Sequence, residues 1–156
     1  MIWDETRKAL ALAECNRWHG TPHRNRMAQV GVGVDCIQFV NEILIASNVI
    51  ERQPLGAYDV NDGTHNPSQR LAAAIKFALD VESVPLDQCA FGDLAVFNTG
   101  RQSGHVGFCG DGCLWHSLAD RCVTKSQLNL WRGSIQFLFR IKSLGLKNSP
   151  QLATKL

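Results

Sequence analysis

Gly31-Val32-Gly33-Val34-Asp35-Cys36 runs directly into Ile37-Gln38-Phe39-Val40-Asn41-Glu42-Ile43-Leu44. Phe39, Val40, Ile43 and Leu44 recur at the spacing of an amphipathic helix packed on a core, and the glycines before them punctuate a loop. The junction therefore puts Cys36 on the first turn of a buried helix. A sulfur there meets unsatisfied backbone N–H groups and the positive end of the helix dipole, both of which favour thiolate over thiol. Burial alone does not require that placement.

Working back from this helix, residues 4–18 also read as helical, with Asp4 as N-cap, Glu5 in the first turn, and Leu10, Leu12 and Ala13 among good helix formers. Gly20-Thr21-Pro22 ends it, and a polar loop from His23 to Gln29 leads into the opening motif. Working forward, the Cys36 helix fades near Ser47-Asn48, and residues 51–65 with Pro54, Gly56 and Gly63 read as loop. Another helix begins at Asn66: Asn as N-cap, Pro67 at the first helical position, Gln69 at the capping-box position, then Leu71, Ile75, Ala78 and Leu79 on one face.

From Phe91 the pattern changes to short runs rich in β-branched and aromatic residues. Strands are expected over Leu94–Asn98, His105–Cys109, Cys113–Leu118 and Ile135–Ile141, with Thr124–Trp131 a short helix or loop. Helices followed by strands indicate an α+β fold. The 156 residues, 45% hydrophobic and 19% charged, suit one domain with a real core, assigned to residues 1–145, with 146–156 a C-terminal tail frayed from Lys147 onward.

A net charge of +2 with scattered Lys and Arg does not call for nucleic acid. The apolar runs are too short for membrane insertion, and Met1-Ile-Trp-Asp-Glu-Thr-Arg-Lys8 lacks the pattern of a signal peptide. Six cysteines in a chain of this length fall below the density of a disulfide scaffold, so separately placed thiols are expected, with Cys15 and Cys89 as packing residues.

The turn at Asp111-Gly112 decides whether the two histidines of the strand half can cooperate. As a two-residue hairpin turn it sets His105 opposite Leu118 and His116 opposite Gly107. Both histidines then share a face on a diagonal of ~7–8 Å and can form a relay. A three-residue turn, Gly110-Asp111-Gly112, instead sends them to opposite faces and brings Cys109 against Cys113, where a disulfide could form.

A magnitude shows why Cys36 needs such a relay. A helix-dipole interaction of ~0.3–2 kcal/mol lowers a thiol pKa by at most about 1.5, leaving a thiol near 8.5 only partly ionised at neutral pH. An imidazolium partner takes it to roughly 3–4. Cys36 is accordingly assigned as nucleophile, His105 as its base, and His116 as the group that orients His105 and sets its tautomer, for acyl transfer to water.

These residues resemble a known family. Gly-Val-Asp-Cys opening a helix, then Phe91-Gly-Asp-Leu-Ala-Val-Phe97, Gly104-His-Val-Gly107 and a polar residue on the next strand resemble the NlpC-type papain-like cell-wall cysteine peptidases. Trp18-His-Gly-Thr-Pro-His-Arg24 is similar to that family's Trp-x-Gly-Thr-Pro-Tyr-Arg segment. Leu130-Trp-Arg132 through Phe139-Arg140 resembles the C-terminal strand of its phage-tail-associated branch. The likeness covers roughly residues 4–142. It implies a papain-like fold in which N-terminal helices, one carrying the nucleophile, pack on a C-terminal antiparallel sheet. It also implies Cys36, His105 and His116 as the catalytic set, no cofactor, and cleavage of a peptidoglycan stem-peptide bond, typically from γ-D-glutamate to a diamino acid.

Three positions bear on substrate. His23 stands where many members have a substrate-holding Tyr, either as a hydrogen-bond donor or as an exposed loop residue. Ile37 stands where a Ser often reads the substrate's free amine. Asp35 is available as an anionic anchor or as the helix N-cap. The implied partners are the peptidoglycan stem peptide and phage tail proteins. The implied location is virion-associated or released by lysis, otherwise cytoplasmic.

Other readings exist. Cys109, Cys113, His116 and Cys122 have zinc-capable side chains, but their spacing is not a paired-CxxC pattern and strand alternation separates them, so no metal is expected. A structural tail-tip protein with a vestigial or occluded site, and another papain-like amidase or acyltransferase, are the rival functions.

Overall fold

A computed structural model of the protein describes residues 1–55, 66–98 and 104–149. Three helices form where sequence and capping chemistry agree. Helix α1 spans Glu5–Trp18, and the Asp4 carboxylate accepts from the Arg7 amide at its N-terminus. Its buried face is Ala11, Glu14, Cys15 and Trp18, with Glu14 accepting from the Trp18 indole and from Arg17. Helix α2 spans Cys36–Ala46 with Asp35 as N-cap, and its stripe of Phe39, Val40, Ile43 and Leu44 is buried. Helix α3 spans Pro67–Ala78, capped by Asn66, whose side chain accepts from the Gln69 amide.

Before α2, a small antiparallel ribbon pairs β1 (Ala28–Gln29) with β2 (Gly33–Val34). It joins the end of the stretch read as polar loop to the glycine-bearing segment before Cys36. A Cβ at Gly33 would stand 2.6 Å from both Arg24 Cδ and Met27 Sδ, so those side chains pack directly over the ribbon.

The second half builds a six-stranded antiparallel sheet from β3 (Val81–Ser83), β4 (Leu94–Phe97), β5 (His105–Cys109), β6 (Cys113–Ser117), β7 (Val123–Gln127) and β8 (Ile135–Ile141). The spatial order is β3-β8-β4-β5-β6-β7. Four of these strands lie where the β-branched and aromatic runs predict them. Two do not. Residues 124–131, expected as a short helix or loop, divide into β7 and a 3₁₀ turn over Leu128–Leu130. β7 is an edge strand rich in polar residues, and its pairing with β6, from Cys113↔Gln127 to Ser117↔Val123, holds it rather than any apolar run. β3 is likewise a short edge, held by β8.

Strand alternation splits the interior into two cores. Leu94, Val96, Val106, Phe108 and Trp115 pack with the helices in one, while Ala95, Phe97, Cys109 and Leu114 face the other, closed by Leu128, Leu138 and Trp131.

The β4 entry is fixed by Asp93, which is fully buried. Its carboxylate accepts from the Ala90 amide and pairs with Arg140 of β8 through both Nε and Nη2. Asp93 thus supports the turn before β4 and also ties it across the sheet.

The chain after β8 is not free at once. The Lys147 amide donates to the Ala78 carbonyl and Asn148 Nδ2 to the Phe77 carbonyl, and Leu146 packs on the core. The expected fraying at Lys147 therefore does not begin there, because these groups satisfy carbonyls at the end of α3. Residues 150–156, the rest of the tail, and residues 56–65 of the loop read as 51–65 lie outside the described residues.

Candidate active site

The β5–β6 hairpin has the register of the two-residue turn. Phe108 pairs with Trp115 and Cys109 with Leu114, the Gly110 amide donates to the Cys113 carbonyl, and Gly112 has φ 69°. Cys109 and Cys113 are therefore not opposed, and both are free thiols. In this register His105 and His116 share a face, and their rings meet: His105 Nε2 lies 2.9 Å from His116 Nδ1. Gly107 makes room for this. A Cβ at that position would stand 2.7 Å from Leu114 Cδ1 and 3.4 Å from His116 Cβ.

The pair continues one step further. His116 Nε2 lies 2.9 Å from Ser126 Oγ on β7. Phe97 packs at 5.2 Å from the His105 ring and Trp131 edge-on at 4.9 Å from the His116 ring. The three polar groups thus form a line, His105–His116–Ser126, walled by aromatic rings. Ser126 and Trp131 fall in the stretch whose strand was not legible in the sequence. The signal that finds Ser126 is its place opposite Leu114, two residues before His116 and on the same face.

Cys36 arrives from the helix layer. Asp35 directs it: Oδ1 accepts from the Gln38 amide at 2.8 Å and Oδ2 from the Arg26 amide at 2.7 Å, so one buried carboxylate caps α2 and holds the preceding loop. The Cys36 sulfur accepts from the backbone amide of Val106, the residue after His105, and faces the amides of Cys36 and Ile37. The β5–β6 pairing stops at Phe108↔Trp115, which leaves the Val106 N–H free to turn toward this sulfur.

These amides do not leave Cys36 ionised. Burial, reinforced by the Asp35 charge, pushes its thiol up to about 12. The helix dipole favours thiolate as expected, but a sulfur only 3% exposed loses more from desolvation than the helix end returns. His105 is held well below its ordinary value, first by burial and then by the neighbouring His116 and His23. Burial alone lowers His116 to about 4. The resting site is therefore a neutral thiol beside neutral imidazoles, and no Cys36–His105 hydrogen bond forms among the described residues.

His23 is also brought to this place. Its amide donates to the Arg121 carbonyl, and the flanking backbone bonds Pro22 and Arg24 to Val34. Its ring Nδ1 lies 3.1 Å from the Ser117 carbonyl and 2.9 Å from Ser117 Oγ, and Ser117 Oγ itself donates to the Val34 carbonyl. Because that carbonyl only accepts and the hydroxyl proton is already committed, His23 Nδ1 carries a proton and a neutral His23 keeps its lone pair on Nε2. The ring is part-buried and held at Ser117. Ile37, next to Cys36, is partly buried and packs against the helix-side core.

Among the described residues no group of three or more His, Cys, Asp or Glu is placed to hold a metal, and no helix is long and apolar enough to cross a membrane.

No protein-family model and no curated protein matches the sequence. Solved structures match the fold. The NlpC/p60 domain of the peptidoglycan hydrolase SagA superposes with a TM-score of 0.57 at 19% identity, covering 86% of this chain and 98% of that domain. A protein of Staphylococcus aureus subsp. aureus Mu50 described as similar to a lipoprotein of the NLP/P60 family superposes with a TM-score of 0.59 at 15% identity. That match covers 89% of this chain and 42% of the longer protein. The chain thus has the α+β, papain-like fold of NlpC/p60 domains.

Proposed function

We propose that this chain is a cysteine peptidase that hydrolyses an amide bond of the bacterial peptidoglycan stem peptide, from γ-D-glutamate to a diamino acid. The observation that carries the reading is the His105–His116–Ser126 line, which starts on β5, the strand against which the Cys36 helix packs, within a fold shared with a domain of a peptidoglycan hydrolase.

In this reading His105 uses Nδ1 as the base. Its Nε2 then carries the proton and donates to His116 Nδ1, and His116 donates from Nε2 to Ser126 Oγ. Substrate binding excludes the remaining water and brings thiol and imidazole together. The thiol proton passes to His105 Nδ1 as the sulfur attacks the scissile carbonyl, and the imidazolium is stabilised by the unprotonated His116 Nδ1. The free amides at the first turn of α2 receive the oxyanion. His105 then protonates the leaving amine, and water attacks the acyl-enzyme with His105 again as base. Asp35 acts chiefly by holding the turn. Ile37 presents an apolar neighbour rather than a reader of the substrate amine, and His23 lines the approach. Delivery by a phage or phage-like tail, or release by lysis, brings such an enzyme to the wall.

Digestion of purified peptidoglycan, with the products identified by mass, tests this reading. The wild type is expected to release stem-peptide fragments and Cys36→Ala, equally folded, to release none. Digestion by Cys36→Ala excludes the mechanism. Products from small acyl donors but not from stem peptides favour a papain-like amidase or acyltransferase.

The burial of Cys36 and its high pKa favour a second reading, a structural tail-tip protein with an occluded site. Iodoacetamide labelling at neutral pH separates the two. Selective fast labelling of Cys36 supports the enzyme, and slow labelling equal to that of the other thiols supports the structural role.

A further inference from the structure

Cys89 and Cys109 were expected to be unconnected thiols, yet they touch. Cys89 follows a 3₁₀ turn over Leu86–Gln88, and Cys109 ends β5 in the sheet face away from the helices. Cys89 packs against the buried cluster that contains Cys109, and the two thiols share a side-chain hydrogen bond, with Cys109 fully buried and Cys89 half-buried.

The backbone around the pair is pinned from both sides. The Gly92 amide donates to the Cys109 carbonyl at 2.8 Å, the Cys109 amide to the Asp93 carbonyl at 2.9 Å, and the Cys89 amide to the Leu86 carbonyl at 3.3 Å. Arg140 Nη2 donates to the Gln88 carbonyl and Arg132 Nη1 to the Leu86 carbonyl, so two guanidinium groups clamp the segment that carries Cys89. Cys89 also lines a groove of roughly 640 Å³, where Lys8, Arg140 and Lys142 outnumber Glu82 and Asp111. One thiol is therefore open to a small anionic reagent, and the other is buried in the cluster against which it packs.

We propose that Cys89 and Cys109 form a two-thiol redox site for small-molecule disulfides of the glutathione class, with Cys89 attacking and Cys109 resolving. The hydrogen bond donated by Cys109, aided by Arg132 and Arg140, lowers the Cys89 thiol below its ordinary value, whereas Cys109 is held well above its own. This division of labour matches an exposed, low-pKa thiol beside a resolving partner. The Cys89 thiolate attacks one sulfur of the small disulfide, forming a mixed disulfide and breaking the reagent's S–S bond, with loss of the first thiolate. Cys109 then attacks the Cys89 sulfur and expels the second. The two protein thiols are oxidised by two electrons, the small disulfide is reduced to two thiols, and the two protein protons end on them. The new bond ties the Cys89–Asp93 turn to the end of β5.

The test incubates the reduced full chain with oxidised glutathione at neutral pH, followed by intact mass and tandem mass spectrometry of tryptic peptides. The expected result is loss of two hydrogens, with the peptide of residues 77–101 linked through Cys89 to Cys109 in the peptide of residues 102–121. Cys109→Ser should trap a glutathione adduct on Cys89. Cys89→Ser should leave Cys109 reduced, and because Cys89 is half-buried this variant keeps the test intact even if Cys109→Ser fails to fold. A lasting adduct on wild-type Cys89, a link from Cys89 to Cys113 instead, or Cys109 oxidation in Cys89→Ser would overturn the proposal. None of these outcomes depends on peptidase activity.

Discussion

His105 Nε2 and His116 Nδ1 stand 2.9 Å apart in a pocket that leaves His105 4% and His116 0% exposed. One nitrogen must donate and the other accept, so the contact fixes which side of each ring can carry a proton. In the proposed relay its direction follows from Ser126 Oγ accepting from His116 Nε2.

Ser126→Ala removes the acceptor from His116 Nε2. A buried N–H left without a partner costs ~1–3 kcal/mol, and His116 can escape it only by taking the tautomer that stops it accepting from His105. Peptidoglycan hydrolysis is expected to fall roughly tenfold in kcat with KM nearly unchanged, and Ser126→Thr to restore most of it. Steady-state kinetics on a soluble stem-peptide substrate checks this. Unchanged kcat in the alanine variant removes Ser126 from the relay.

Acid should destabilise the fold through the same pair. His116 titrates at about 4 in the folded chain and near 6.5 when unfolded, so the unfolded state binds protons first as pH falls. The neutral pair's contribution is complete above pH 6.5 and is lost between 6.5 and about 4, on the order of 3 kcal/mol for His116. His105, shifted in the same direction, adds to the slope. Urea unfolding across that range should show stability falling with pH, and His116→Gln should flatten the curve. An equal slope in the variant would place the acid sensitivity elsewhere.

Gly107→Ala tests the space that lets the rings meet. The added methyl lies 2.7 Å from Leu114 Cδ1, and Leu114 is fully buried with little room to yield. Overpacking of this kind costs ~1–3 kcal/mol, and displacement of β6 separates the histidines. The variant should melt several degrees lower and lose activity by more than its folded fraction explains.

Asp93→Asn probes a support at the other end of the same strands. The carboxylate is buried against Arg140, whose side chain remains 35% exposed and can turn to water when its partner is neutralised. The expected loss is about 2–3 kcal/mol, below the ~3–5 of a fully buried pair. Urea denaturation should show it, while turnover per folded molecule stays at the wild-type level.

Much of this was legible along the chain. Asp4, Asp35 and Asn66 cap helices as their residue types require, because an N-cap is satisfied within three or four residues of itself. The apolar stripe of α2 and the Asp111-Gly112 turn are equally local. One of the two turn lengths the sequence allows placed His105 and His116 on one face, and the pairing of β5 with β6 selects it.

What sequence could not yield depends on groups distant along the chain. β7 is held by pairing with β6, so its polar residues gave no strand signal and Ser126 stayed hidden behind His116. The helix end argued for a partly ionised Cys36, with an imidazolium partner needed to complete the ionisation. Only the packing of α2 against the sheet shows that desolvation outweighs the dipole, because burial depends on every layer at once. Local chemistry determined the helices and named the candidate reactive groups. Tertiary structure decided their protonation, the third member of the relay, and the meeting of Cys89 with Cys109, which lie twenty positions apart but in one core.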